Sequence, residues 1–200
     1  MEDDRALLIF IRNPRLGVGK RRIAATAGDA RTLRIYRALL DHTRRVSSVV
    51  PATRYLYYSE LVDTADEWPA ADFRKALQPP GNDLGAKMET AFAATLPRHP
   101  KVVIVGSDCA QLRPAHLTAA FVALDTHDAV LGPATDGGYY LLGLKDLTVD
   151  VFSKMTWSTD TVAAETLARL AAAGRSVAQL ETLSDIDTEA DWEKYGWALR

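Results

Sequence analysis

Val102-Val-Ile-Val-Gly-Ser-Asp108 decides how this chain folds, because an apolar, β-branched run ends in Gly-Ser and delivers a carboxylate at its far end. A continuous apolar stretch this short reads as a strand buried on both faces, the kind found in a parallel sheet covered by helices. In an open sheet of that kind ligands collect outside the carboxyl ends of the strands, so Asp108 is placed to meet a metal ion or a polar ligand. The competing explanation is local: Asp is a favoured N-cap, and a helix starting near Pro114 needs one.

Towards the N-terminus, Leu7-Leu-Ile-Phe-Ile11 is a second such run and stops at Asn13-Pro14. It predicts the first central strand. Leu33, Tyr36, Leu39 and Leu40 recur at helical spacing within 32–43, with Arg34, Arg37 and Asp41 opposite, which makes an amphipathic helix. Strands follow at 52–58 and 73–78, and the turn Pro79-Pro-Gly-Asn-Asp83 leads into a helix marked by Leu84, Met88, Phe92 and Leu96. Towards the C-terminus, 114–124 reads as helix, 128–131 and 139–144 as strands on either side of Asp136-Gly-Gly, and 161–173 as an alanine-rich helix that Gly174 is placed to cap. A last strand at 177–180 precedes a helix opened by Thr188 with Asp191 at the capping-box position, in which Trp192, Tyr195 and Leu199 share a core-packing face. Alternating strands and helices over this length imply one α/β domain spanning 1–200, a three-layer Rossmann-like fold with a mostly parallel central sheet.

Composition narrows the function classes. Two hundred residues with 48% hydrophobic content can bury a full core, and 24 Lys plus Arg against 26 Asp plus Glu leave a net charge of -2. That balance offers no electrostatic reason to expect nucleic acid or a membrane as partner. The cations between Arg12 and Arg22 lack interleaved aromatic residues, which also argues against single-stranded nucleic acid. One cysteine, Cys109, excludes an internal disulfide and a cysteine metal cluster, and is expected to pack in the core. The start Met1-Glu-Asp-Asp-Arg5 is acidic and the apolar run behind it too short for a signal or span, so the expectation is a soluble cytoplasmic protein.

Four loops carry chemistry. Asn13-Pro-Arg-Leu-Gly17-Val-Gly19-Lys20-Arg21-Arg22 puts glycines and consecutive cations after the first strand, a composition that suits phosphate. It is not a Walker A loop, since Lys20 is followed by Arg and the first glycine of that motif falls on Pro14; nor is it a dinucleotide fingerprint, since Arg22 stands at the third glycine. Asp83 is explained as a helix cap, but Gly85 in the first turn costs about 1 kcal/mol relative to Ala, and a close approach of backbone or ligand would account for it. Asp136-Gly137-Gly138-Tyr139 is either a plain hairpin turn or a carboxylate held beside a ligand. Asp185 and Asp187 fall on one face of an extended segment and are candidate ligands for a hard divalent cation.

Taken in order, Pro14, Gly17, Lys20-Arg-Arg22, Asp83-Leu-Gly85, Lys87-Met88, Gly106-Ser-Asp108-Cys109, Gly132-Pro, Asp136-Gly-Gly-Tyr-Tyr140, Trp157-Ser158 and Asp185-Ile-Asp-Thr188 resemble one family over nearly the whole chain. It is similar to the bacterial glycosyltransferase-like family of the nucleotide-diphospho-sugar transferase (GT-A) superfamily, often filed as a domain of unknown function. The resemblance implies a metal-dependent glycosyltransferase with a Mg²⁺ or Mn²⁺ ion, a nucleotide or nucleotide-sugar donor and a small-molecule acceptor, and leaves the oligomeric state open. It implies that Gly17, Lys20 and Arg22 contact donor phosphates, with Pro14, Gly19, Asp83, Gly85 and Lys87 completing the nucleotide site, and that Asp108 binds the metal with Asp187 as second ligand. Asp136, Gly137, Gly138, Tyr139 and Trp157 are then the acceptor pocket; Lys20 and Asp136 are the catalytic candidates, although a Trp ahead of a helix also serves as plain core. The family usually shows Lys-Thr-Arg where Lys20-Arg21-Arg22 stands, a proline at Ala110, and an acid and an arginine at Ala86 and Lys87. The alternatives that remain are a nucleotidyltransferase acting on a small phosphorylated acceptor and a non-catalytic nucleotide-binding module.

Overall fold

Both apolar runs form strands buried on two faces, as their composition predicts. In the computed structural model, which describes residues 4–196 and 199, Leu7, Leu8 and Ile9 of β1 (Arg5–Ile11) and Val102 and Val103 of β4 (Lys101–Val105) have no accessible surface. Residues 1–3 of the acidic start, and residues 197, 198 and 200 at the end of the expected domain, lie outside the described residues. The remaining strands are β2 (Thr53–Tyr58), β3 (Phe73–Leu77), β5 (Ala129–Pro133), β6 (Tyr139–Leu144) and β7 (Val177–Gln179). The helices are α1 (Arg21–Ala27), α2 (Asp29–Ser48), α3 (Leu84–Thr95), α4 (Pro114–Thr126), α5 (Val162–Ala172) and α6 (Glu189–Tyr195).

The strands form one sheet in the order β3-β2-β1-β4-β6-β5-β7, parallel except for β6, which runs antiparallel to both β4 and β5. Alternate residues of β1 go to opposite faces. Leu7, Ile9 and Ile11 meet Tyr36 and Leu40 of α2 and Leu117 and Phe121 of α4, whereas Ala6 and Leu8 meet Phe92 of α3 and Leu170 of α5. This is the expected three-layer arrangement. A third cluster joins Ile23, Leu39, Ala110, Ile186 and Trp192, with Tyr195 and Leu199 packed against it, so the shared face of the last helix is core.

Two helical features differ from the sequence reading. The basic stretch after the first strand runs into a helix of its own, α1, because Ile23, directly after the cations, is fully buried and anchors it. The next helix extends beyond 32–43 at both ends, to Asp29 and Ser48. Its polar last turn survives because Arg54 donates to the carbonyls of Ser47, Ser48 and Val50, each at 2.7 Å, which satisfies groups a helix end leaves open. Asp83 caps α3 by accepting from Ala86 N at 2.9 Å, and Thr188 and Asp191 form the expected capping box of α6. Gly174 takes φ 69° just after the end of α5, the left-handed position expected of it.

Candidate active site

Because β6 runs against its neighbours, its first residue lies at the same edge as the carboxyl ends of β1, β4 and β5. That edge collects the residues singled out in the sequence. After β1, Gly17 and Gly19 adopt φ values of 73° and 75°, a region L side chains avoid, and Lys20 follows at 44°. The turn is closed by Val18 N, which donates to Arg15 O at 3.2 Å. It also directs Lys20 inward: its side chain is 9% exposed, and Nζ stands 3.0 Å from Asp108 Oδ2 and 3.0 Å from Asp187 Oδ1. Burial alone would lower the lysine pKa, but the two carboxylates outweigh it and leave the value raised. Arg22 remains largely exposed, 3.8 Å from Asp187.

Three segments are locked together around this lysine. Tyr36 of α2 donates from its hydroxyl to Arg12 O at 3.0 Å, accepts from Arg12 N at 2.8 Å, and lies 3.3 Å from Ser107 Oγ, so the ends of β1 and β4 share one post. Ile186 N donates to Asp108 O at 2.8 Å, and the carboxylate of Asp191 accepts from the backbone of Asp187 and Thr188. Ile186 is buried in the core while Asp185 and Asp187 on either side turn toward Asp108 and Lys20, the alternation their spacing predicts. Asn13, at the end of the first apolar run, has a structural role that the composition of the basic loop does not announce. It is 4% exposed and clamps the β2 end, donating to Leu61 O at 2.9 Å and accepting from Glu60 N at 3.0 Å. A polar residue at the end of an apolar run, just before a proline, was the available signal.

Beside this ionic cluster opens a cavity of about 310 Å³. Its lining includes the carboxylates of Asp108, Asp136 and Asp185 and the apolar or aromatic side chains of Phe10, Met88, Tyr139 and Trp157. Asp136-Gly-Gly joins β5 to β6 as a hairpin, with Gly138 N donating to Asp136 Oδ1 at 2.9 Å, and places Asp136 and Gly138 in the cavity wall. Gly137 lies beside that wall, not in its lining. Trp157 serves as wall and as packing surface, since its ring meets Tyr139 edge-on at 6.4 Å and covers Gly85. Pro14, Gly17, Gly19, Asp83 and Lys87 do not line the cavity, and Gly85 is buried beneath it. Cys109 is buried, and burial above all pushes its thiol up to about 12, so it packs rather than reacts.

Gly85 is therefore required by packing. A Cβ there would stand 2.6 Å from Trp157 Cζ2 and 2.7 Å from the carbonyl oxygen of Phe152. Alanine would gain up to about 1 kcal/mol of helix propensity, whereas overpacking against backbone costs about 1–3 kcal/mol. Gly85→Ala is expected to lower the melting temperature by a few degrees, and an increase would show that the wall yields.

Crowding of like charge has its own consequence. Burial, and then the carboxylate of Asp108, raise the Asp185 carboxyl to about 7; Lys20 opposes, while Asp136 and Asp187 add to the rise. A carboxyl whose folded pKa lies above its unfolded one binds a proton on folding. Its contribution is most favourable at low pH and is lost as pH climbs from the ordinary carboxylate range through about 7. In chelator-treated protein, Asp185→Asn is expected to flatten this fall and to raise the melting temperature at about pH 8. Thermal melts of both proteins at about pH 5 and pH 8 check it; a variant less stable than wild type at the higher pH would contradict the assignment.

Residues 42–159, more than half of the chain, match the model of a family described as "Uncharacterized protein conserved in bacteria (DUF2064)". Among solved structures, a candidate nucleotide-diphospho-sugar transferase from Desulfovibrio desulfuricans G20 is 26% identical, with a TM-score of 0.84 over 100% of this chain and 94% of that one. The 4-diphosphocytidyl-2C-methyl-D-erythritol synthase of Anaerococcus prevotii superposes with a TM-score of 0.58 at 14% identity, covering 99% of this chain and 100% of that one. Rv0371c of Mycobacterium tuberculosis H37Rv in complex with manganese does so with a TM-score of 0.53 at 16% identity, over 95% and 97% of the two chains. No curated protein matches by sequence. Among the described residues, no helix is long and apolar enough to cross a membrane.

Proposed function

This chain belongs to the bacterial family DUF2064, and from that premise we propose that it is a metal-dependent glycosyltransferase that takes a nucleotide-diphospho-sugar as donor. The observation that carries the reading is Lys20, drawn in from a left-handed glycine turn to 3.0 Å from both Asp108 and Asp187, the former lining a cavity of about 310 Å³. The likeness to the Desulfovibrio protein supports the class of donor.

The donor set fits a hard divalent cation, since it consists of carboxylate oxygens. Among the described residues no three His, Cys, Asp or Glu side chains form a ready cage. Mg²⁺ or Mn²⁺ would be held there by two carboxylates. Asp108 would hold the ion with Asp187, the ligand the family resemblance implies, or with Asp185, the other candidate on the same face. Once bound, the ion neutralises charge on the diphosphate leaving group.

The chain's own residues account for the remainder. The Gly17–Gly19 turn offers backbone N–H groups to the phosphates, and Lys20 stabilises the charge that grows there as the sugar–phosphate bond breaks. Arg22, largely exposed, is free to swing onto the donor. Asp136 faces the acceptor, accepts the proton of its attacking group and holds its orientation while the new bond to the sugar forms. The apolar wall keeps water from competing for the same carbon.

Incubation with labelled nucleotide sugars and with nucleoside triphosphates tests the proposal. Release of free nucleoside diphosphate is the expected outcome. Pyrophosphate release would instead indicate nucleotidyl transfer, and metal-dependent binding without turnover against any acceptor would indicate a sensing module.

A further inference from the structure

The cavity is chemically lopsided. Asp108, Asp136 and Asp185 are in its lining, and no Lys, Arg or His is found among the described residues that line it. Lys20 does not line it and is paired with Asp108 and Asp187, at 3.0 Å from each. Much of the remaining lining is apolar and aromatic, with Tyr139 and Trp157 set edge to face and the Met88 sulfur 3.9 Å from the Tyr139 hydroxyl.

From this we infer that the acceptor is a cationic amine with an apolar body, its ammonium group held at the acidic rim by Asp136 and its body lying against Tyr139 and Trp157. The inference rests on the transferase reading for the word acceptor, and on the cavity alone for the charge. Charge decides the class. A divalent ion on two of the carboxylates brings with it a diphosphate of comparable negative charge, so the cavity stays electronegative when the donor is in place. An acceptor bearing phosphate or carboxylate would then be buried beside like charge with no cation to pair it, which is strongly unfavourable. A cation finds in the same lining both carboxylates and aromatic rings that attract it. Asp136 is the exposed member of the trio and anchors its own turn through Gly138 N, so it is fixed in place and accessible at once.

Three probes with the same ring and different heads test this: 2-phenylethylamine, 2-phenylethanol and phenylacetate. Binding is measured by calorimetry to the full chain, first alone and then with Mn²⁺ and inorganic pyrophosphate, which stands in for the donor diphosphate. The amine is expected to bind at least about tenfold more tightly than phenylacetate, with the alcohol between. Asp136→Asn, which keeps the oxygen that accepts from Gly138, is expected to erase the advantage of the amine over the alcohol. Phenylacetate binding as well as the amine, or no probe binding while pyrophosphate does, would overturn the inference and leave the donor reading standing. The amine binding when pyrophosphate and Mn²⁺ do not would uphold the cationic cavity and remove the donor reading.

Discussion

Asp108→Asn is expected to lower Mn²⁺-dependent nucleotide affinity by more than about a hundredfold, the loss typical of groups that only orient a metal ligand. The melting temperature of the metal-free protein should move by no more than a few degrees. The two effects separate because Asp108 holds its segment and its proposed ligand with different atoms. Its carbonyl oxygen accepts from Ile186 N at 2.8 Å and ties the β4 end to the 185–187 segment, a bond the substitution leaves alone. The carboxylate is 42% exposed, so turning it into an amide neither opens a void nor strands a buried charge. Lys20 keeps Asp187 at 3.0 Å. What is lost is a hard anionic ligand, and an amide oxygen replaces it poorly for Mg²⁺ or Mn²⁺. Titration of nucleotide with and without Mn²⁺ reads the effect, and unchanged affinity would remove Asp108 from the site.

The runs at 7–11 and 102–105 are legible as central strands because both faces of each are buried, so every residue must be apolar and no periodicity is needed. The shorter α1 is not, because a single buried Ile23 directly after the cations leaves no pattern to find. The site divides along the same line. Lys20, Asp108 and Asp187 stand out as charged residues in loops that follow strands, where a sheet edge gathers them. Asn13 and Tyr36 perform their work through long-range hydrogen bonds, across 48 and 24 residues, and no local spacing announces a partner so distant. Gly85 shows the opposite case: its presence in a helix signals a close approach, but only the packed structure shows that the approaching group is Trp157. The choice of Asp187 over Asp185 could not have been made on spacing, since both fall on one face; the cavity wall and the lysine divide them.

Lys20→Met is expected to change the two proposed ligands in opposite directions. The methionine stem retains most of the buried packing of a side chain that is 9% exposed, and removes only the charge. With no nucleotide present, Mn²⁺ affinity should rise, because the ammonium now neutralises the same two carboxylates an ion would use, at 3.0 Å from each. With Mn²⁺ present, nucleotide affinity should fall by on the order of a hundredfold, the upper range for a charge-assisted hydrogen bond to a desolvated phosphate. A purely structural lysine predicts something else. If Lys20 only ties the β1 loop to the β4 end, its loss should lower the melting temperature and weaken both ligands together as the carboxylates drift apart. Asp108 and Asp187 are each more than a third exposed, so water can take over part of the screening and the fold should persist long enough for the comparison to be made. Opposed changes in the two affinities therefore assign the lysine to the donor, and parallel losses assign it to the scaffold.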